Sequence, residues 1–172
     1  MSEKQTGRAR LPPRWFIRTF WTMHRYLYRV SGGRAGLRRA KNGRWGMMRL
    51  STTGRRSGQE RSVILGYFED GPNVITMAMN GWGDGEPAWW LNVQACPDVT
   101  IDLADGRRSV KARAADGDER ERLWDRWREL DKNLDAYAAR RSGETAIVIF
   151  EPSPDSALGN LADDSTDAGA DQ

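Results

Sequence analysis

The sequence has very little of the residue types that build metal sites and disulfides. Its 172 residues include one cysteine, Cys96, and one histidine, His24. One cysteine cannot form an intramolecular disulfide or a cysteine-rich metal site, and one histidine cannot form a histidine cluster. We therefore expect a reduced protein that binds no metal and has no Cys–His catalytic pair.

Long apolar runs are also missing. No stretch approaches the roughly 18–20 consecutive apolar residues of a membrane-spanning helix. The apolar runs near the N-terminus are two or three residues long and are broken by arginine, unlike those of a secretory signal. We therefore expect a cytoplasmic location.

The net charge of +3 is small, but it hides a gradient along the chain. Residues 1–61 carry 16 basic and 2 acidic side chains, whereas residues 62–150 carry 11 basic and 16 acidic ones. Residues 151–172 carry 6 acidic side chains and no basic one. The basic first third suits an anionic ligand or surface. The acidic residues after position 62 argue against a nucleic-acid groove, so we expect no nucleic-acid partner.

Hydrophobic periodicity and turn residues predict a mainly β domain with helices (α+β). Strands are predicted at 45–51, 61–68, 73–79, 99–103, 107–114 and 145–150, and helices at 87–95 and 116–139. About six short strands in meander order favour a small barrel over a parallel βαβ sheet. The predicted organisation is a disordered basic N-terminus at 1–12, an amphipathic helix at 13–33, a barrel domain at 44–152 and an acidic disordered tail at 153–172.

Residues 13–30 have the pattern of a basic amphipathic helix. Apolar side chains fall on one face and four arginines on the opposite face, with aromatic residues between them. Such a helix suits the surface of an anionic inner membrane, but it equally suits packing on its own domain. Both interpretations remain open from the sequence.

Two segments have the composition of ligand-binding loops. The first, Thr52–Arg61, combines two glycines, small hydroxyl residues and three arginines between two strands, which suits either an anion-binding turn or an ordinary solvated hairpin. The second, Met79–Asn92, is a glycine-rich loop that leads into a helix with Trp89 and Trp90. These tryptophans could offer flat faces to a ring system or anchor a core helix.

No nucleophile–base pair and no metal-ligand set can be assembled from these residues, so we assign no catalytic side chain. Acidic residues are concentrated at 116–131, where they alternate with arginine in the manner of a solvated, salt-bridged helix face. If the protein is an enzyme, a bound cofactor carries the chemistry.

Four segments together resemble the deazaflavin-dependent nitroreductase family. They are Leu50-Ser51-Thr52-Thr53-Gly54-Arg55-Arg56-Ser57-Gly58, then Glu69-Asp70-Gly71, Pro87-Ala88-Trp89-Trp90-Leu91-Asn92 and Cys96-Pro97-Asp98-Val99-Thr100. The likeness covers about Trp45 to Pro152. It implies an FMN-binding-like split β-barrel that uses the reduced coenzyme F420 as hydride donor, with FMN a less favoured cofactor. F420 carries a phosphate and an oligoglutamate tail, which suits the basic first third.

The resemblance also implies site residues. The phosphate and tail would be held by Arg55, Arg56, Ser57 and Arg61. The strand Ser62, Val63, Ile64, Leu65 and Gly66 would run along the cofactor, and Met77, Ala78, Met79 and Asn80 would meet the deazaflavin. Ala88, Trp89, Trp90, Leu91 and Asn92 would close the site, and Tyr137 and Leu134 would contact the acceptor.

The chain departs from the nitroreductase branch at several of these positions. That branch has a proline where Ile64 stands, a tyrosine where Gly66 stands and often a lysine where Asn80 stands. Of its acceptor-pocket tyrosines only Tyr137 is kept here. The expected acceptor is therefore a quinone or another activated alkene rather than a nitro compound. The alternatives are a barrel that binds FMN, haem or F420 without this activity, and a module that interacts with an anionic membrane surface.

Overall fold

A computed structural model describes residues 37–41, 43–81 and 83–153 of the chain. The predicted disordered N-terminus, the amphipathic helix at 13–33 and nearly all of the acidic tail lie outside these residues. The described elements are β1 (Gly46–Thr53), β2 (Glu60–Asp70), β3 (Asn73–Met77), α1 (Ala88–Ala95), β4 (Asp98–Leu103), β5 (Gly106–Ala114), α2 (Gly117–Leu130), α3 (Leu134–Ala138) and β6 (Ile147–Pro152).

The six strands form a closed antiparallel barrel, so the predicted barrel is confirmed. Around the barrel the order is β1-β2-β3-β6-β5-β4, and β4 closes the ring against β1. The predicted meander order is therefore wrong at one step, because β3 pairs with β6 and not with β4. The connection from β3 to β4 is a long loop followed by α1, and such a connection can carry the chain across the end of the barrel.

Strand alternation divides the apolar residues between two clusters. Side chains of β1 and β2 such as Met48, Leu50 and Tyr67 point inward and form the barrel interior. The residues between them point outward, and at the end of β2 the outward Phe68 packs against Trp127 of α2 at 5.1 Å between ring centroids. The barrel therefore has an interior core and a second core beneath α2 and α3.

The prediction of one helix over 116–139 is wrong. α2 ends at Leu130, and α3 begins at Leu134. At Asp131 the backbone is extended, with φ −132° and ψ 101°, and its carboxylate accepts a hydrogen bond from the Asn133 amide at 2.9 Å. A short acidic side chain that binds a nearby amide in this way competes with helix continuation. Within the described residues, no helix has the length and apolar character needed to cross a lipid bilayer.

The ladder between β2 and β3 is short, and this opens the barrel wall. It covers only the pairs from Phe68↔Ile75 to Asp70↔Asn73. The earlier part of β2, residues 60–67, pairs with β1 along its other edge. In the part of the chain that the structure describes, no strand pairs with residues 60–67 on the side facing β3. We call this gap between residues 60–67 and the end of β3 the split.

Candidate functional site

A tight turn joins β1 to β2 at one end of the split. The amides of Ser57 and Gly58 both donate to the carbonyl oxygen of Gly54, at 3.1 and 2.7 Å, and the Gly54 amide donates to Gln59. Gly58 has φ +66°, a conformation that glycine adopts without steric cost. The turn therefore has a fixed backbone from which the neighbouring side chains project.

Three arginines on this turn and the start of β2 carry charge that no carboxylate of the described residues neutralises. Arg55, Arg56 and Arg61 are exposed, and within the described residues none of them forms a salt bridge. Glu60, which belongs to the same segment, instead lies 3.6 Å from the guanidinium of Arg49. We call residues 54–61 the anion cradle, because exposed guanidinium groups without carboxylate partners suit phosphate or carboxylate ligands.

Asn92 joins the anion cradle to α1. Its side-chain oxygen accepts hydrogen bonds from the amide and the guanidinium of Arg55, at 3.2 and 3.3 Å, and its amide nitrogen donates to Thr52. The Asn92 side chain is 6% exposed. The predicted site residue is thus committed to protein partners, and it fixes the backbone of Arg55 rather than presenting a free amide.

The split brings together the two segments that were expected to border the deazaflavin. On one side the carbonyl of Gly66 faces β3 and accepts a hydrogen bond from the Thr76 hydroxyl at 2.7 Å. Because backbone groups alternate along a strand, those of Ile64 and Ser62 face the same edge. On the other side lies the chain from Met77 to Asn80. An open strand edge offers both N–H donors and C=O acceptors, as a polar heterocycle requires.

The alternation of β2 separates its predicted contacts onto two faces. Val63 and Leu65 are opposite Leu50 and Met48 of β1 and pack against the barrel interior. Ser62, Ile64 and Gly66 point to the other face, on which Ser62 is exposed and Ile64 is buried. The side chains of both sets cannot line one ligand face, so a ligand along β2 meets the backbone edge and Ser62.

The chain that follows β3 is held by a buried arginine that the sequence did not reveal. The side chain of Arg141 is 2% exposed and donates to the Ala78 carbonyl at 2.9 Å and to the Gly85 carbonyl at 3.2 Å. It also contacts Glu86 and the Thr145 hydroxyl. Arg141 therefore anchors both ends of the loop that begins with Met79 and Asn80, and no sequence motif marked it.

The predicted aromatic contacts are buried in the barrel. Trp89 and Trp90 are 8% and 5% exposed and belong to the interior cluster, with their rings edge to face at 6.1 Å. Of their neighbours on α1, Ala88 is exposed and Leu91 is half-buried. Both tryptophans therefore anchor the core in this structure, and a role for them in closing the site stays a prediction.

The two predicted acceptor contacts lie on α3. Leu134 is completely buried in the second core, whereas Tyr137 is half-buried, with Arg140 over its ring at 5.7 Å. Of the pair, Tyr137 has surface to offer a ligand. The acceptor role of both residues stays a prediction.

Two comparisons with known proteins match most of this chain. The model of the F420H(2)-dependent quinone reductase family matches residues 21–152. An F420H(2)-dependent quinone reductase of Mycobacterium tuberculosis is 31% identical over 131 residues, which cover 74% of this chain and 87% of that protein.

Two solved structures share the fold. An F420-H2 dependent reductase superposes with a TM-score of 0.56 at 28% identity, over 61% of this chain and 93% of its own. A chain described as a domain-swapped dimer superposes with a TM-score of 0.60 at 26% identity, over 81% of this chain and all of its own. The split-barrel resemblance inferred from the sequence is therefore confirmed, and the chain belongs to the F420H(2)-dependent quinone reductase family.

Proposed function

We propose that the protein is an oxidoreductase that uses reduced coenzyme F420 to reduce quinones. When bound, reduced F420 supplies a hydride, which together with one proton from solvent converts a quinone to its hydroquinone. The observation that carries the proposal is the anion cradle at one end of the split. A long anionic cofactor with a flat ring system needs a site for its anionic tail, which the cradle offers, and an open strand edge for its ring, which the split offers.

The anion cradle would hold the phosphate and the oligoglutamate tail. Arg55, Arg56 and Arg61 are charged, exposed and not ion-paired to carboxylates of the described residues, so binding an anion breaks no salt bridge there. The Ser57 hydroxyl lies on the same turn, where it accepts a hydrogen bond from the Gln59 amide at 3.4 Å. Charge-assisted hydrogen bonds from a guanidinium to a phosphate or carboxylate oxygen are among the strongest that a protein surface can offer.

The split would orient the ring system. Backbone groups of Ser62, Ile64 and Gly66 lie along one border, and residues 77–80 form the other, held in place by Arg141. Rigid placement of a hydride donor relative to its acceptor supplies much of the rate in reactions where the cofactor carries the chemistry. The protein's part is thus binding and orientation, and no side chain is assigned as catalytic.

Two finer parts of the proposal concern the acceptor and the location. Activated alkenes other than quinones are proposed as further acceptors, since they accept hydride in the same way. A cytoplasmic enzyme that touches the inner membrane through residues 13–30 would meet quinones there; the basic amphipathic pattern of this segment supports the idea. Vesicle co-sedimentation of the full chain tests it, with Arg18→Glu/Arg25→Glu expected to lose binding to anionic vesicles.

The main experiment measures cofactor binding and turnover in the same preparation. Oxidised F420, FMN and haem are titrated separately, and reduced F420 is then mixed with menadione while the oxidised deazaflavin absorbance is followed. We expect saturable F420 binding and a protein-dependent oxidation of the reduced cofactor. Tight binding of FMN or haem without F420-dependent turnover would instead support the non-reductase alternative.

A further inference from the structure

One large apolar side chain lies open to solvent beside the split. Among the described residues, Trp45 is the one large hydrophobic residue that is exposed, with 45% of its surface accessible. Its indole lies directly on Gly66 of β2, so that a Cβ added at Gly66 would overlap the Cε3 and Cζ3 atoms of the ring. A glycine within a strand marks a place where another group approaches closely, and here that group is an aromatic ring.

The ring is held in this position by the segment that leads into β1. Arg38 and Met47 exchange two backbone hydrogen bonds, at 3.1 and 2.8 Å, and Lys41 and Arg44 exchange another two. The guanidinium of Arg38 also donates to the Trp45 carbonyl at 3.0 Å. The backbone on both sides of Trp45 is therefore fixed before any ligand binds.

Trp45 lies at the opposite end of the split from the anion cradle. Gly66 follows Arg61 by five residues in β2, which corresponds to about 17 Å at the usual rise of a strand. Between these two ends Ser62 and Ile64 point to the same face as Gly66, and of these two Ser62 is exposed whereas Ile64 is buried. A ligand whose anionic end is in the cradle would thus extend along the open backbone edge of β2 toward Trp45.

We propose that Trp45 is a specificity-determining residue whose exposed indole stacks on the planar acceptor. An electron-rich indole favours contact with a flat, electron-poor ring such as a quinone, and offset stacking adds to the area that such a contact buries. Gly66 contacts one side of the ring, and 45% of the surface of Trp45 remains accessible for an acceptor. The inference rests on the proposed function, because it assigns the acceptor end of that same site.

The first test compares Trp45→Leu with Trp45→Phe in steady-state assays with menadione. Leucine keeps an apolar side chain without a flat face, so we expect its menadione KM to rise about fivefold to tenfold. Phenylalanine keeps an aromatic face and should stay within about twofold of wild type. The Kd for oxidised F420 should change much less than the menadione KM in either variant, since the phosphate and tail are held by the anion cradle at the other end of the split.

The second test uses Gly66 to move the same ring without deleting it. Gly66→Ala displaces the indole, and we expect a rise in menadione KM close to that of Trp45→Leu. Once Trp45 is leucine, adding Gly66→Ala should produce little further change, because the ring that it displaces is gone. Additive effects in this double-mutant cycle would overturn the proposal.

A binding measurement without turnover completes the test. With oxidised F420 bound, menadione should saturably quench tryptophan fluorescence in the wild type more than in Trp45→Phe. If the wild type shows no F420-dependent turnover at all, the proposed function itself fails. If the wild type turns over but Trp45→Leu leaves the menadione KM unchanged, or raises the Kd for F420 as much as the KM, only the assignment of Trp45 to the acceptor is overturned.

Discussion

The arginines of this protein fall into two groups with opposite surroundings. Those of the anion cradle are exposed and form no salt bridge within the described residues, although Glu60 is part of the same segment. Those of α2 are paired: Arg122 and Arg126 both bind the carboxylate of Asp70, and Arg128 binds Asp125 and Asp135. Arginine thus attaches α2 to the barrel in one region, and in the anion cradle it leaves positive charge available to an anionic ligand.

The paired group stabilises the contact between α2 and the turn that follows β2. Arg126 also donates to the Glu69 carbonyl at 3.1 Å and lies over the Phe68 ring at 4.5 Å. These contacts surround the second core beneath α2, where Phe68 meets Trp127. The arginines of this region are therefore ion-paired within the fold, whereas those of the cradle form no salt bridge within the described residues.

The largest effect on F420 binding is expected when two arginines of the anion cradle are replaced. Arg56→Ala/Arg61→Ala should weaken the binding of oxidised F420 by roughly 100-fold, since each charge-assisted hydrogen bond lost costs about tenfold. The loss should be greatest at low salt, because exposed charges are screened as ionic strength rises. Titration calorimetry at two salt concentrations measures both quantities.

The matched control for this pair is Arg122→Ala/Arg128→Ala on α2. It removes the same number of charges of the same type, so any effect of net charge alone would appear in both double variants. We expect its F420 affinity to remain close to that of the wild type. Equal losses in the two double variants would show that overall charge, and not the cradle, determines binding.

Asn92→Asp should give Arg55, one of the three cradle arginines, a carboxylate partner. A carboxylate at this position would accept the hydrogen bonds that Arg55 already gives to Asn92, at 3.2 and 3.3 Å, and would neutralise its guanidinium. We expect the F420 affinity to fall about tenfold, which corresponds to one charge-assisted contact. An unchanged Kd measured alongside the wild type would mean that Arg55 does not contact the anion.

The sequence predicted the strands well because turn residues and alternation are local signals. The turn of the cradle was predicted for the same reason, since its glycines and arginines are adjacent in the chain, and its binding of an anion stays a prediction. The closure of β4 on β1, the burial of Trp89 and Trp90, and the clamp formed by Arg141 depend on contacts between distant segments. Single-sequence periodicity contains no information on such contacts.

A smaller effect, on stability rather than binding, is expected from Asp70→Asn. The hydrogen bond from Arg122 lowers the pKa of Asp70, so the folded state favours the carboxylate. The stabilisation that the Asp70 carboxylate provides is present at neutral pH. It is lost as the pH falls below about 3.9, the ordinary pKa of aspartate, and then through the lower pKa of Asp70 in the folded protein. We expect a loss of about 1 kcal/mol in the free energy of unfolding at pH 7, because the network is partly exposed.

Urea unfolding of the wild type and Asp70→Asn at pH 7 and pH 3 measures this contribution. The difference between the two proteins should be larger at pH 7 and should shrink at pH 3. A difference that grows as the pH falls would contradict the sign of the pKa shift. F420 affinity should be unaffected, since Asp70 lies at the far end of β2 from the cradle.

The smallest effect is expected from Arg128→Ala alone. Its partners Asp125 and Asp135 are exposed, and ion pairs between exposed side chains contribute little in water because solvent and salt screen them. Asp135 also keeps a second partner, since the Trp124 indole donates to it at 2.9 Å. Neither the thermal midpoint nor the F420 Kd should change measurably. A clear loss of F420 binding in this variant would remove the distinction between the two groups, because a paired arginine of α2 would then also control the cofactor.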